Sequence, residues 1–199
     1  MSASANLPGV LNESLALQLT HHFLVAMPAM QDPNFAGTVI YVTEHTAQGA
    51  FGLVVNRPLE LPVQGLYERL DLPLPDTKLA AELVLRGGPV SGNHGYVLHR
   101  PLGNYISTVA VTAEMGMTRS RDVLEAISRG DGPADVIVCL GYAGWGEGQL
   151  EEEISANAWL TVPASEKILF DTPIEERFNR AFGLLGIDPL FLSAAAGHA

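Results

Sequence analysis

A single cysteine, two lysines and the lack of any long apolar run set the first limits on this chain of 199 residues. Cys139 has no partner for an internal disulfide, and one thiol cannot build a cysteine-rich zinc site. It sits in the apolar run VIVCLG, where a thiol serves as core filling rather than as a nucleophile. Lys78 and Lys167 are the only lysines, against 22 acidic residues and a formal net charge of −11. Non-specific nucleic-acid binding rests on Lys and Arg neutralising phosphates, and the nearest thing to a basic run is Arg119 and Arg121. Direct binding to nucleic acid is therefore disfavoured. No apolar stretch reaches the roughly 18 residues of a membrane span. The opening MSASANLPGVLNES has neither the charged start nor the apolar centre of a secretion signal, so a cytoplasmic protein with no membrane contact is expected. H-E-x-x-H, G-x-S-x-G, the P-loop and G-x-G-x-x-G are all missing. No metal, cofactor or catalytic residue is expected, and an enzyme is the less favoured reading.

What is present is globular. Hydrophobic residues make up 47% and charged residues 17%, enough chain and enough apolar surface for one proper core. One domain over residues 1–199 is expected, with 1–14 and 190–199 as flexible ends. The stretch from Val136 to Val162 organises it. Val136, Ile137 and Val138 read as a buried strand. Glycines 141, 144, 146 and 148 follow, with Tyr142 and Trp145 among them, and predict a sharply turning loop. Residues 149–157 predict a short helix with Leu150 and Ile154 on one face, and Trp159 to Val162 a returning strand stopped by Pro163. The loop amides could cradle an anion, or the loop could be an elbow that seats Trp145. Glu147 and the run Glu151, Glu152, Glu153 repel phosphate there, which favours the elbow; that glutamate run reads as a solvated face.

Either side of this stretch, residues 23–27, 38–42, 53–55, 83–85, 95–99 and 105–109 read as strands, with 38–42 apolar enough to be covered on both faces. Val63, Leu66, Tyr67 and Leu70 predict one amphipathic helix. Val123, Leu124 and Ile127 predict a second, capped by Thr118 or Ser120 and ended by Gly130. A third is capped at Thr172, enters through Pro173, and carries Ile174, Phe178, Ala181, Phe182 and Leu185 on one face. LDLPLPDTK reads as a proline-punctuated loop, and the tail SAAAGHA should fray. Strands outnumber helices, so the fold class is α+β.

Candidate site residues lie where strands end. Glu44 and His45 adjoin, but neighbours on a strand point to opposite faces unless the backbone turns there; His45 is expected to bond a loop carbonyl. Arg57 and Arg86 each sit at a Pro- or Gly-marked turn, and could hold an anion if those strand ends are neighbours. The competing expectation pairs them with carboxylates such as Glu44.

Taken in order, FLVAMPAMQDPNF, YVTEHTAQGAFGLVVNRP, LRGGPV, GYVLH, GYAGWGEGQLEEEISANAWL and KILFDTP resemble the YqgE/AlgH family of bacterial proteins over residues 15–188. Phe51 and Phe178 depart from the methionine and tryptophan expected there. The resemblance implies a single compact α+β domain with a strongly bent, mostly antiparallel mixed sheet flanked by a few helices. It also implies a transcriptional regulator of undefined biochemistry, since one family name comes from a genetically described regulator of alginate synthesis. Its motif positions here include Glu44, His45, Asn56, Arg57, Gly87, Gly88, Tyr142, Trp145 and Gln149; Arg86, Gly144 and Gly146 join them as candidates for binding a ligand or partner.

Three functions follow as expectations. The first is a non-enzymatic protein acting through an unidentified protein partner, docked at an exposed patch around Tyr142 and Trp145. The alternative is a small-anion or nucleotide-binding protein or enzyme, with its site around Glu44, His45, Arg57 and Arg86. Direct DNA regulation comes last.

Overall fold

Runs of β-branched and aromatic residues dominate the chain, and the computed structural model, which describes residues 17–186, is correspondingly built on one sheet. Its strands are β1 (His22–Ala26), β2 (Val39–Thr46), β3 (Gly49–Val54), β4 (Pro58–Pro62), β5 (Leu83–Arg86), β6 (Val90–Arg100), β7 (Thr108–Ala110), β8 (Gly116–Thr118), β9 (Asp135–Gly146) and β10 (Trp159–Pro163). The helices are α1 (Val63–Arg69), α2 (Thr77–Ala81), α3 (Asp122–Arg129), α4 (Gln149–Ser155), α5 (Glu166–Phe170) and α6 (Arg177–Gly183), with a 3-10 turn at Ile174–Glu176. Strand order is β10-β1-β2-β3-β9-β6-β8-β7, and the β4–β5 pair branches off β9. Only β5 runs parallel to its neighbour β9; every other pairing is antiparallel. The α+β reading with a bent, mostly antiparallel sheet is correct.

β9 is the spine, and here the sequence reading needs correction. Three of the four glycines expected to form a loop, Gly141, Gly144 and Gly146, belong to this 12-residue strand, and Gly148 alone lies beyond it, just before α4. Its first half pairs with β6 from Asp135 to Leu140, and its last four residues pair with β3. Gly141, at φ +76°, lies where the strand changes partners, a conformation L side chains avoid. The chain after β5 crosses this bend so closely that a Cβ on Gly88 would lie 2.1 Å from the Tyr142 carbonyl oxygen.

Period-two alternation buries both faces of β1, β2 and β3. Phe23, Val25, Tyr41 and Leu53 pack on one side with Leu169, Ala181 and Phe182. Leu24, Ile40 and Val42 pack on the other with Leu150, Trp145 and Trp159. Burying Phe182 alone contributes about 2 kcal/mol. A third cluster sets Val63 and Tyr67 of α1 and Val123 and Ile127 of α3 over Val84, Val97 and Val138.

Helices fare less well than strands against expectation. α2 begins at the end of the segment read as a loop, which held only its Thr77 and Lys78; it is started by Asp76, whose carboxylate accepts from the Lys78 and Leu79 amides. α3 has no side-chain cap: Ser120 bonds Asp122 instead, and Thr118 is a strand residue. Thr172 does not cap the third predicted helix; its hydroxyl donates to the Lys167 carbonyl, and α6 begins only at Arg177. Strand 105–109 shrinks to β7, and the tail expected to fray lies outside the described residues.

Candidate functional site

The end of β9 and the start of α4 form an elbow around two indoles. Trp145 Nε1 and Trp159 Nε1 both donate to Glu153 Oε2, at 2.9 and 2.8 Å. Gln149 Nε2 donates to the other carboxylate oxygen at 3.0 Å, while its Oε1 accepts the Gly146 amide at 3.0 Å. Phe35 stacks on Trp145. Gly144 and Gly146 sit in a paired strand, so this is a seat for an indole and not a phosphate cradle. Two of the three glutamates read as a solvated face have partners: Glu153 takes the indoles and Glu151 takes His45, leaving Glu152 exposed.

Glu44 and His45 do diverge. A bulge after Val42 leaves Glu44 opposite Phe51 and His45 opposite Ala50, on different faces of the sheet. His45 is buried, and its Nδ1 accepts the Leu19 amide at 3.2 Å. A ring nitrogen that accepts carries no proton, so Nε2 is the donor, to Glu151 Oε1 at 2.9 Å. The loop carbonyl expected for His45 is replaced by this pair.

Asn56 and Arg57 lock the turn before β2. Asn56 accepts from the Val39 amide and donates to the Gly37 carbonyl; Arg57 donates to the carbonyls of Pro33 and Ala36. Among the described residues Arg57 pairs with no carboxylate, Glu44 included. The two strand ends are neighbours, because the Arg86 amide donates to the Arg57 carbonyl at 2.8 Å. Arg86 is exposed, and among the described residues its side chain has no hydrogen bond. With Arg57 tied to carbonyls, Arg86 alone is free to meet an anion there. Gly87 and Gly88 are buried under the crossing of β9.

Tyr142 and Trp145 cannot share a patch. Trp145 is only 7% exposed and packs with the second core cluster, whereas half-buried Tyr142 packs against the first, on the opposite face. Tyr142 instead stacks on Phe51 with ring centroids 4.4 Å apart, and Tyr96 closes the trio at 5.4 and 5.6 Å. Burial raises the Tyr96 pKa, partly offset by the positive charge of Arg119. Val90 pairs directly with Tyr142 and is 39% exposed. The sequence reading missed Phe51 and Tyr96 because three separate strands bring the rings together.

It also missed Arg177. A cavity of about 790 Å³ is lined by Leu79, Ile127, Val138, Leu169 and Arg177 among others. None of the candidate site residues named from the sequence lines it. A small depression of about 200 Å³ does touch Glu44 and Trp145. The described residues therefore spread the sequence-predicted residues over several separate places in the fold, not over one concave surface.

Residues 23–190 match the family model described as AlgH-like. A UPF0301 protein of Ralstonia nicotianae is 52% identical over 92% of this chain and 96% of its own length. One of Chromobacterium violaceum is 50% identical over 92% and 99%. The solution structure of the AlgH protein from Pseudomonas aeruginosa superposes with a TM-score of 0.75 at 48% identity, covering 95% of this chain and 100% of that one. A crystal structure of a Corynebacterium diphtheriae protein shares the fold alone, with a TM-score of 0.62 at 22% identity over 76% of this chain and 78% of that one.

Proposed function

The chain belongs to the AlgH-like family, and on that premise we propose that it is a non-enzymatic cytoplasmic regulatory protein that acts by binding a protein partner. The observation that carries this reading is the stacked pair of half-buried Phe51 and Tyr142, backed by buried Tyr96 and flanked by exposed Val90. Aromatic rings held rigid by a sheet present large contact area at little entropic cost, and such residues dominate binding energy at interfaces. The histidine and arginine of the alternative anion-binding reading support the same conclusion by their occupation. His45 holds the chain at Leu19 to α4, and Arg57 holds a turn.

The test is affinity capture from a cognate lysate with Tyr142→Ala and Phe51→Ala, taking Trp145→Phe as the buried control. Loss of one hot-spot ring of about 2 kcal/mol weakens a partner roughly thirtyfold. Partners should vanish with the two surface variants and survive in the control, with all three proteins folded by circular dichroism. Undiminished recovery by folded Tyr142→Ala would remove the proposal.

A further inference from the structure

The large cavity lies between α2 with β5, the start of β9, and the segment joining α5 to α6. Leu79, Ile127 and Ile174 give it apolar wall, while polar groups, those of Glu82, Asp171 and Glu175 among them, make up at least as much of its lining. Arg177, only 6% exposed, lines it too. Its Nε donates to the Thr172 carbonyl at 3.1 Å and its Nη1 to the Val55 carbonyl at 2.7 Å. Among the described residues Nη2 makes no hydrogen bond and no carboxylate lies within ion-pair distance. Those two carbonyls match two of the five guanidinium N–H groups, and Nη2 keeps both of its own for what fills the cavity.

The rim narrows the choice of ligand. Asp76 caps α2 and Asp135 pairs with Arg100, but Glu82, Asp171 and Glu175 are exposed and unpaired among the described residues. Lys78 is the only lysine lining the cavity. A phosphate dianion would be repelled by that rim, whereas a single carboxylate on Arg177 is tolerated if a cation accompanies it. The volume falls in the range of small-molecule sites, roughly 300–1,000 Å³, and exceeds what one amino acid would fill.

We propose that this cavity binds an apolar zwitterion of dipeptide size: its carboxylate meets Arg177 Nη2, its ammonium faces Glu82 and Glu175, and its side chains lie on Leu79, Ile127 and Ile174. The site is separate from the aromatic trio, and neither proposal depends on the other.

The experiment is a titration of the full chain with leucyl-leucine, its C-terminal amide, its N-acetyl derivative and inorganic phosphate, read by calorimetry and amide NMR shifts. Leucyl-leucine should bind saturably, with shifts at Leu79, Ile127 and Arg177. The amide and the N-acetyl compound should each bind about tenfold more weakly, the loss of one charge-assisted contact. Phosphate should neither bind nor compete. Arg177→Met removes two structural hydrogen bonds and risks unfolding, so the decisive variant is Glu175→Gln, at an exposed carboxylate. It should weaken leucyl-leucine and leave the N-acetyl compound unaffected. The proposal is overturned by no saturable binding up to about 10 mM, which is the weakest affinity worth calling a site. Equal affinity of the blocked compounds, no effect of Glu175→Gln, or shifts gathered around Phe51 and Tyr142 would overturn it equally.

Discussion

His99 is fully buried, with Nδ1 3.0 Å from the Pro101 carbonyl and Nε2 2.8 Å from the Thr118 hydroxyl. A carbonyl only accepts, so Nδ1 carries the proton and Nε2 takes the hydroxyl hydrogen of Thr118. Burial lowers the His99 pKa below its ordinary 6.5, the Pro101 bond offsetting part of this. Burial lowers His21 as well. A histidine whose folded value is depressed is neutral in the native state and gains a proton on unfolding, so its contribution is complete above the ordinary value and declines as pH falls below it. Urea midpoints should therefore fall from pH 7.5 to 5.5, within the window set by that ordinary value of 6.5, and more steeply in the wild type than in His99→Gln. Parallel slopes for the two proteins would refute the assignment. Cys139 makes a second residue-level case. Burial pushes its thiol up to about 12, and it should ignore Ellman's reagent until denaturant is added. Rapid labelling of the native protein would contradict the buried position. The cysteine was legible from the apolar run around it; the state of His99 was not, because Thr118 is 19 residues away in sequence.

α4 is a short helix with no side-chain cap, held by what its carboxylates grip. Replacing Glu153 by Leu strands two indole N–H groups, of which Trp159 is only 2% exposed, and should cost about 2–4 kcal/mol. Glu153→Gln keeps an oxygen acceptor and should cost much less. Urea unfolding followed by tryptophan fluorescence separates them, and equal stability of the two variants would show that the shared acceptor is unimportant. The crossing at Gly88 gives a sharper contrast. A methyl there meets the Tyr142 carbonyl at 2.1 Å, while one at Gly92 meets nothing within 4 Å. Gly88→Ala should destabilise by about 3 kcal/mol or more, and Gly92→Ala by about 0.5 kcal/mol or less. The sequence marks both glycines identically, since what crowds one of them is a strand more than fifty residues later.

At the scale of the molecule, β9 pairs with β3, β5 and β6, so opening it disrupts more of the sheet than opening either edge strand, β10 or β7. Native-state hydrogen exchange should be slowest at Ile137, Val138 and Cys139, and faster at Val109 on the edge. Fastest exchange within β9 would dislodge it as the spine. The net charge of −11 belongs to this scale as well. No shift of duplex DNA is expected at physiological salt, and a salt-sensitive complex would overturn the preference for a protein partner.

Composition and local pattern sufficed for the α+β class, the doubly covered strand around Tyr41 and the helix around Val63 and Tyr67, because burial periodicity is written into consecutive residues. They also sufficed for the family. Only the tertiary structure decided that the glycine stretch is a bent strand, that Tyr142 and Trp145 face opposite ways, and that Arg177 borders the large cavity. Those outcomes depend on which distant strand lies alongside: a strand's partners, and the face each ring turns to, are set by long-range pairing that no local window contains.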